Sequence, residues 1–398
     1  MTTDFARTRA QFHLPEGVIY LDGNSLGPMP LAAAARVAQT ITAEWGEMLI
    51  RGWNKAGWMD MPSRVGNRIA ALIGAEAGHV VMGDTLSIKV YQALASCVQM
   101  NPNRRVILSD TGNFPSDLYM AQGLCGTLGG DHRLKTVEPE AVLAAIDDSV
   151  AAVMITEVDY RTGRRHDMAA LSARAHEVGA PIIWDLAHSA GAFPVGVAAG
   201  GADFAVGCSY KYLNSGPGGP AFIYVAPRHA NLVQPALSGW LGHESPFAFD
   251  RDYRPAPGIE RMRVGTPPIL QLASLEAALD VWDSVDLDDL RTASLTLTDR
   301  FIAGVEAACP MLTLVTPRDH DRRGSQVSFR HPEGYAIMQA LIAAGVIGDF
   351  RAPDILRFGF TPLYIGATEV DGAVAILLRI MADGSWDRPE FKARSKVT

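Results

Sequence analysis

Between residues 79 and 225 short apolar runs alternate with glycine and polar residues: HVVMGD, RVILSD, AAVMIT, PIIWD, FAVGCS and AFIYV. Runs of this length without polar alternation describe strands buried on both faces. Helix-like stretches separate several of them, Leu171 to Val178 among them. The expected architecture is therefore α/β, a mostly parallel sheet covered by helices, with ligands at the strand ends. Near residue 270 the period changes: Leu272, Leu275, Leu279 and Trp282 fall three to four apart and describe one face of a helix. An α+β pattern follows, with strands at Gln326 to Phe329 and Ile355 to Phe360 and helices at Tyr335 to Ala344 and Thr368 to Ala382. This predicts a large domain over 45–270. A smaller α+β C-terminal domain is built from 271–398 together with an N-terminal arm, residues 1–44.

A chain of 398 residues suits two such domains. The formal charge of −8 gives no basic stripe for nucleic acid and no attraction to an anionic membrane surface, so a small-molecule partner is expected. Cys97, Cys125, Cys208 and Cys309 are scattered without CxxC spacing, which argues against a zinc site or a disulfide framework and for reduced thiols. The first residues lack an apolar leader-like stretch, and no apolar run approaches the roughly 20 residues of a membrane span. A cytoplasmic location is expected.

Two positions carry the chemistry: Asp185 after the run PIIWD, and Lys211 after FAVGCSY and before a glycine-rich turn. A lysine flanked by Tyr210 and Tyr212 at the end of an apolar strand sits partly desolvated, which favours the neutral, nucleophilic amine that Schiff-base formation requires. Asp185 can pair with the pyridine nitrogen of pyridoxal 5'-phosphate and keep the ring an electron acceptor. His188 borders the same ring. Taken singly, the aspartate reads as a helix cap and the lysine as a surface residue; the SYKYLNSGPGG and HSAG contexts reverse that balance, because their glycines permit close approach to a ligand.

The blocks LDGNSLGPMP (21–30), NFPSD (113–117), WDLAHSAG (184–191), SYKYLNSGPGG (209–219), GWLGH (239–243) and RVGTPPI (263–269) resemble those of kynureninases along nearly the whole chain. The resemblance implies the pyridoxal-phosphate-dependent transferase fold type I, hydrolytic Cβ–Cγ cleavage of L-kynurenine, and a homodimer with shared active sites. It implies that Leu86 and Ser87 cradle the cofactor phosphate, as backbone amides at a helix start can; a plain N-cap is the alternative for Ser87. In the FPSD block, Phe114 stacks on the pyridine, Asp117 contacts its polar edge, and Pro115 and Ser116 belong to the same cofactor site. Tyr210 bonds the phosphate and can deliver a proton. Trp240 and Thr266 add contacts from the neighbouring subunit. Trp53, in IRGWNKAG, and Thr266 resemble residues that border the substrate ring and, lacking a strong polar partner for a ring hydroxyl, favour kynurenine over 3-hydroxykynurenine; a packing residue at the dimer interface is the alternative for Trp53.

Arg357, on an apolar strand in ILRFGFTPLY, needs an anion for its planar fork. The substrate α-carboxylate is one candidate and an internal Asp or Glu the other. Three competing activities are weighed. A cysteine desulfurase needs a loop cysteine well beyond the lysine, and the only downstream cysteine, Cys309, ends an apolar helical pattern. An aminotransferase shares the first steps, but FPSD and GWLGH do not point there. A non-catalytic binding protein should lack Lys211, Asp185 or Arg357.

Overall fold

Each of the six apolar runs forms a strand in the computed structural model, which describes residues 2–394. They join a seven-stranded sheet in the order Val80–Met82, Ala221–Val225, Phe204–Cys208, Ile182–Asp185, Val150–Thr156, Val106–Asp110, Arg133–Val137. Ala221–Val225 alone runs against the direction shared by the other six strands. Every residue of Val150–Thr156 is buried, as a strand covered on both faces must be. Arg133–Val137 was not foreseen. It is the edge strand, mostly exposed and carrying Arg133 and Lys135, a composition that discourages further pairing and removes the apolar signature.

The helix over Ile269–Leu279 follows the predicted periodicity, and a 22-residue helix, Leu287–Ala308, leads into the C-terminal part. There Asp349–Arg351, Ile355–Gly359, Gln326–Arg330 and Thr313–Leu314 form an antiparallel sheet in that order. Helices Leu287–Ala308 and Gly334–Ala343 pack on it, and Ala367–Asp383 packs on both of these helices. Phe301 anchors this core against Phe329, Phe358 and Phe360. Fold class and element order therefore follow the apolar pattern.

The N-terminal segment touches both halves of the molecule. Ile19–Tyr20 pairs in parallel with Val346–Ile347, and the Thr8 hydroxyl donates to the Leu363 carbonyl at 2.9 Å. Gly359 N donates to Leu21 O, while Gly27 N donates to Tyr210 O at 2.8 Å. Helix Leu31–Gln39, by contrast, packs along Ile269–Leu279. The stretch 21–27 thus crosses from the small sheet to the lysine loop. Among the described residues no helix is long and apolar enough to cross a membrane.

Candidate active site

Parallel strands point their carboxyl ends at one edge of the large sheet, and ligands in such folds lie beyond that edge. Thr156 and Asp185 close two neighbouring strands there, and Lys211 follows the next one, Phe204–Cys208. They line a cavity of about 380 Å³ together with Leu86, Ser87, Phe114, Ser116, His188, Tyr210 and Arg357. Nine residues expected from the sequence therefore meet in one place, Asp185 and Lys211 included. Asn24, Ser25, Tyr160 and Arg351, to which the sequence reading gave no role, line it too.

Lys211 Nζ lies 2.9 Å from His188 Nε2. Burial first, then the positive charges of Lys211, Arg357 and Arg351, push the imidazole well below its ordinary range. A neutral His188 accepts from the lysine at Nε2, and its Nδ1 is left buried without a partner. Asp185 accepts from Ala187 N at 2.9 Å and from the Thr156 hydroxyl at a long 3.4 Å. Burial raises its carboxyl, and the charge of Lys211 partly offsets this. Asp117 is fully buried, with neither carboxylate oxygen hydrogen-bonded. Burial and the nearby Asp185 push it well above the carboxylate range. Two buried carboxyls with spare acceptor capacity call for a cationic donor, and a protonated pyridine nitrogen has that chemistry.

A helix start on the same cavity offers a place for an anion. Helix Leu86–Met100 starts after Thr85, whose side chain makes no cap bond, so the amides of the first turn stay open towards the cavity. Thr85 holds the N-cap position, so Ser87 is not a plain cap. Across the cavity Gly219 must be glycine, because a Cβ there would lie 1.8 Å from Ser215 Oγ. Phe114 is 40 % exposed and meets Tyr160 edge-on at 5.0 Å between ring centres, which leaves a face open to a flat ring. The Tyr210 phenol is pushed up, first by the adjacent Cys208 and then by burial. It keeps its proton. Pro115 opens the helix Pro115–Leu128 that carries Ser116 and Asp117. These residues fit pyridoxal phosphate.

Arg357 already has an internal anion. It is opposite Asp349 in the small sheet; its Nε donates to Asp349 Oδ1 at 2.6 Å and its Nη2 to Asp349 Oδ2. Nη2 also donates to Ser25 Oγ and Nη1 to the Tyr160 carbonyl, both at 2.7 Å. Burial alone would raise Asp349, but Arg357 holds it below the usual range. Of the five guanidinium donors, one N–H of Nη1 remains for a ligand. Trp53, Trp240 and Thr266 do not line the cavity of their own chain. Trp53 packs edge-on against Trp58, Trp240 against Phe247, and Thr266 is exposed.

The whole chain superposes on a cysteine desulfurase from Thermococcus onnurineus NA1 with a TM-score of 0.81, covering 96% of this chain and 99% of that one at 19% identity. A C-DES variant with glycine covalently linked to its PLP cofactor gives 0.79 at 18% identity, over 93% and 98% of the two chains. The architecture is that of the fold type I pyridoxal-phosphate enzymes. At 18–19% identity the likeness to these structures is one of fold; the four cysteines here are buried.

Sequence comparison is more specific. Over 400 aligned residues the chain is 54% identical to a kynureninase from Pseudomonas fluorescens and 52% identical to one from Burkholderia pseudomallei (strain 1106a), covering 99% of this chain and 96% of each relative. Residues 290–377 match the kynureninase C-terminal domain. The chain belongs to the kynureninase family.

Proposed function

We propose that this enzyme adds water across the Cβ–Cγ bond of L-kynurenine to give anthranilate and L-alanine, with pyridoxal 5'-phosphate held at Lys211. The observation that carries the reading is the meeting of Lys211, Asp185 and Arg357 in one cavity at the sheet edge. When bound, pyridoxal phosphate supplies an electron sink for charge developing at the substrate α-carbon. Lys211 Nζ takes and returns the α-proton, steered by its contact with neutral His188. Asp185, backed by Thr156 and the Ala187 amide, holds the ring nitrogen. Phe114 covers the ring face and the Leu86–Ser87 amides hold the phosphate. Tyr210, which stays a phenol, is suited to give a proton to Cβ as the Cβ–Cγ bond breaks, while Lys211 serves the water that attacks the γ-carbonyl and leaves Cγ as the anthranilate carboxyl.

The active form is a homodimer in the cytoplasm. An apolar groove of about 690 Å³, lined by Leu26, Met29, Ala33 and Leu270 among others, supports a dimer interface. So do the exposed side chains of Trp45, Leu49, Ile50, Phe247 and Phe249. Trp53, Trp240 and Thr266 reach the cavity from the partner subunit. The large domain spans 45–270, and residues 1–44 with 271–398 form the smaller one.

Purified holoenzyme given L-kynurenine should release fluorescent anthranilate and one equivalent of alanine; substrate binding without release would favour a non-catalytic role. Trp53 and Thr266 offer an indole N–H and one small hydroxyl, so kcat/KM should favour L-kynurenine over the 3-hydroxy compound by no more than about 100-fold. A strong preference for the hydroxylated substrate would contradict this ring-pocket assignment.

A further inference from the structure

We infer that Arg351 is a second ligand of the substrate α-carboxylate, so that a guanidinium pair, Arg351 with Arg357, holds the amino-acid end of the substrate. The inference rests on the kynurenine-cleaving reading and adds to it a residue on which neither the motifs nor the comparisons bear. Strand geometry places the pair. Side chains two apart in a strand share a face, and directly opposed residues of neighbouring strands share it too. Asp349 and Arg351 are two apart, and Arg357 is paired with Asp349, so all three project from one face of the hairpin. Both arginines line the lysine cavity.

Counting donors distinguishes the two. Arg357 has four of its hydrogen bonds committed to protein groups. Arg351 is far less engaged: its Nη2 pairs with Asp349 Oδ2 at 2.8 Å and reaches Ser25 Oγ at 3.3 Å. Its Nη1 finds only the adjacent Phe350 carbonyl at 3.3 Å, and its Nε is buried with no partner. A guanidinium that lines a cavity with its Nη1 donors all but unengaged is a site for an anion.

Charge balance agrees. Asp349 is the one ionised carboxylate between the two guanidinium groups, because burial and Asp349 itself push neighbouring Asp22 up to about 8 and keep it neutral at pH 7. The cluster therefore carries a net positive charge. Burial and Arg357 weigh against the charge on Arg351, a cost that an incoming carboxylate offsets. Arg357 then acts as the anchored member, fixed through Asp349, and Arg351 as the member with donors to spare.

The alternative is that Arg351 only buttresses Asp349. The two differ in what they predict for a substrate lacking the carboxylate. In holoenzyme, Arg351→Gln should lower kcat/KM for L-kynurenine by roughly 10- to 100-fold, chiefly through KM. Inhibition by the decarboxylated amine analogue of kynurenine should stay within about twofold of wild type. Arg351→Lys, which keeps the charge without the fork, should recover part of the loss. The side chain is one-third exposed, so folding should survive either change; should Arg351→Gln not fold, Arg351→Lys carries the same comparison between the two ligands. An unchanged kcat/KM in Arg351→Gln, or equal weakening of both ligands, overturns the inference. Wild type that releases no anthranilate would instead overturn the functional reading itself.

Discussion

The two walls of the cavity are built differently. On the large-sheet wall, Asp185, His188 and Lys211 lie within 27 residues of one another, each delivered by a strand and the turn that follows it. Their electrostatics are set by burial and by each other. On the small-sheet wall, Arg357 is held by Asp349 eight residues away, by Tyr160 from another part of the chain, and by Ser25, 332 positions distant. The first wall is a local design on a rigid sheet edge. The second is assembled from three remote segments, and its charge depends on all of them. Substitution on the first wall should abolish the chemistry, whereas substitution on the second should weaken substrate binding by graded amounts.

The sharpest break is expected at Lys211. Lys211→Ala removes the only lysine among the described residues that line the cavity, while the neighbouring strands keep their packing. The variant should fold with an unchanged melting temperature yet show turnover at background; activity above a few per cent of wild type would shift the proton-transfer role to another group.

Arg357→Ala should come next. Truncating one member of a buried hydrogen-bonded charge pair costs roughly 2 to 5 kcal/mol, or about 30- to 5,000-fold in kcat/KM if the loss is felt at the transition state. Stability should fall by less than the roughly 3 to 5 kcal/mol of an orphaned buried charge, because Arg351 and Ser25 remain on Asp349. Cofactor content should hold. Loss of cofactor with full activity per bound cofactor would make Arg357 a purely structural ion pair.

The smallest effect concerns pH. Asp22 faces Asp349 and Arg357 on the small sheet, Tyr20 on its own segment, and Tyr212 and Tyr364 from the remaining sides. Its carboxyl is raised to about 8 by burial and by Asp349. Since the fold favours the protonated form, the stability it contributes is complete below about pH 4 and is lost as pH rises towards 8. Above that point its ionisation cancels the positive charge of the arginine cluster, so affinity for the substrate anion should drop. The fall between pH 7 and pH 9 should be on the order of 3- to 10-fold. In Asp22→Asn this limb should flatten. An identical pH profile in wild type and variant would remove Asp22 from the account.

The same contrast explains what could be read from the sequence. Strands buried on both faces write uninterrupted apolar runs, so the central sheet, and with it Asp185 and Lys211, was legible. Arg133–Val137, an exposed edge strand, writes no such run. Arg357 announced itself as a charge within an apolar strand, but its anion did not, because pairing Asp349 with Arg357 needs the register of a hairpin. Arg351 had a signal, an Asp-x-Arg spacing ahead of the Arg357 strand, which becomes meaningful only once both strands are known. Asn24 and Ser25 lay within a quoted motif, yet their place in the cavity depends on the arm crossing to Tyr210. For Trp53, Trp240 and Thr266 the motif was visible while the single chain leaves the cavity without them.

The most direct test of the central claim is to reduce the holoenzyme with borohydride and map the peptide that carries the cofactor. The account predicts loss of the visible band and a single phosphopyridoxyl label on Lys211. A label on another lysine, such as Lys89, which is buried in the first turn of helix Leu86–Met100, would contradict it.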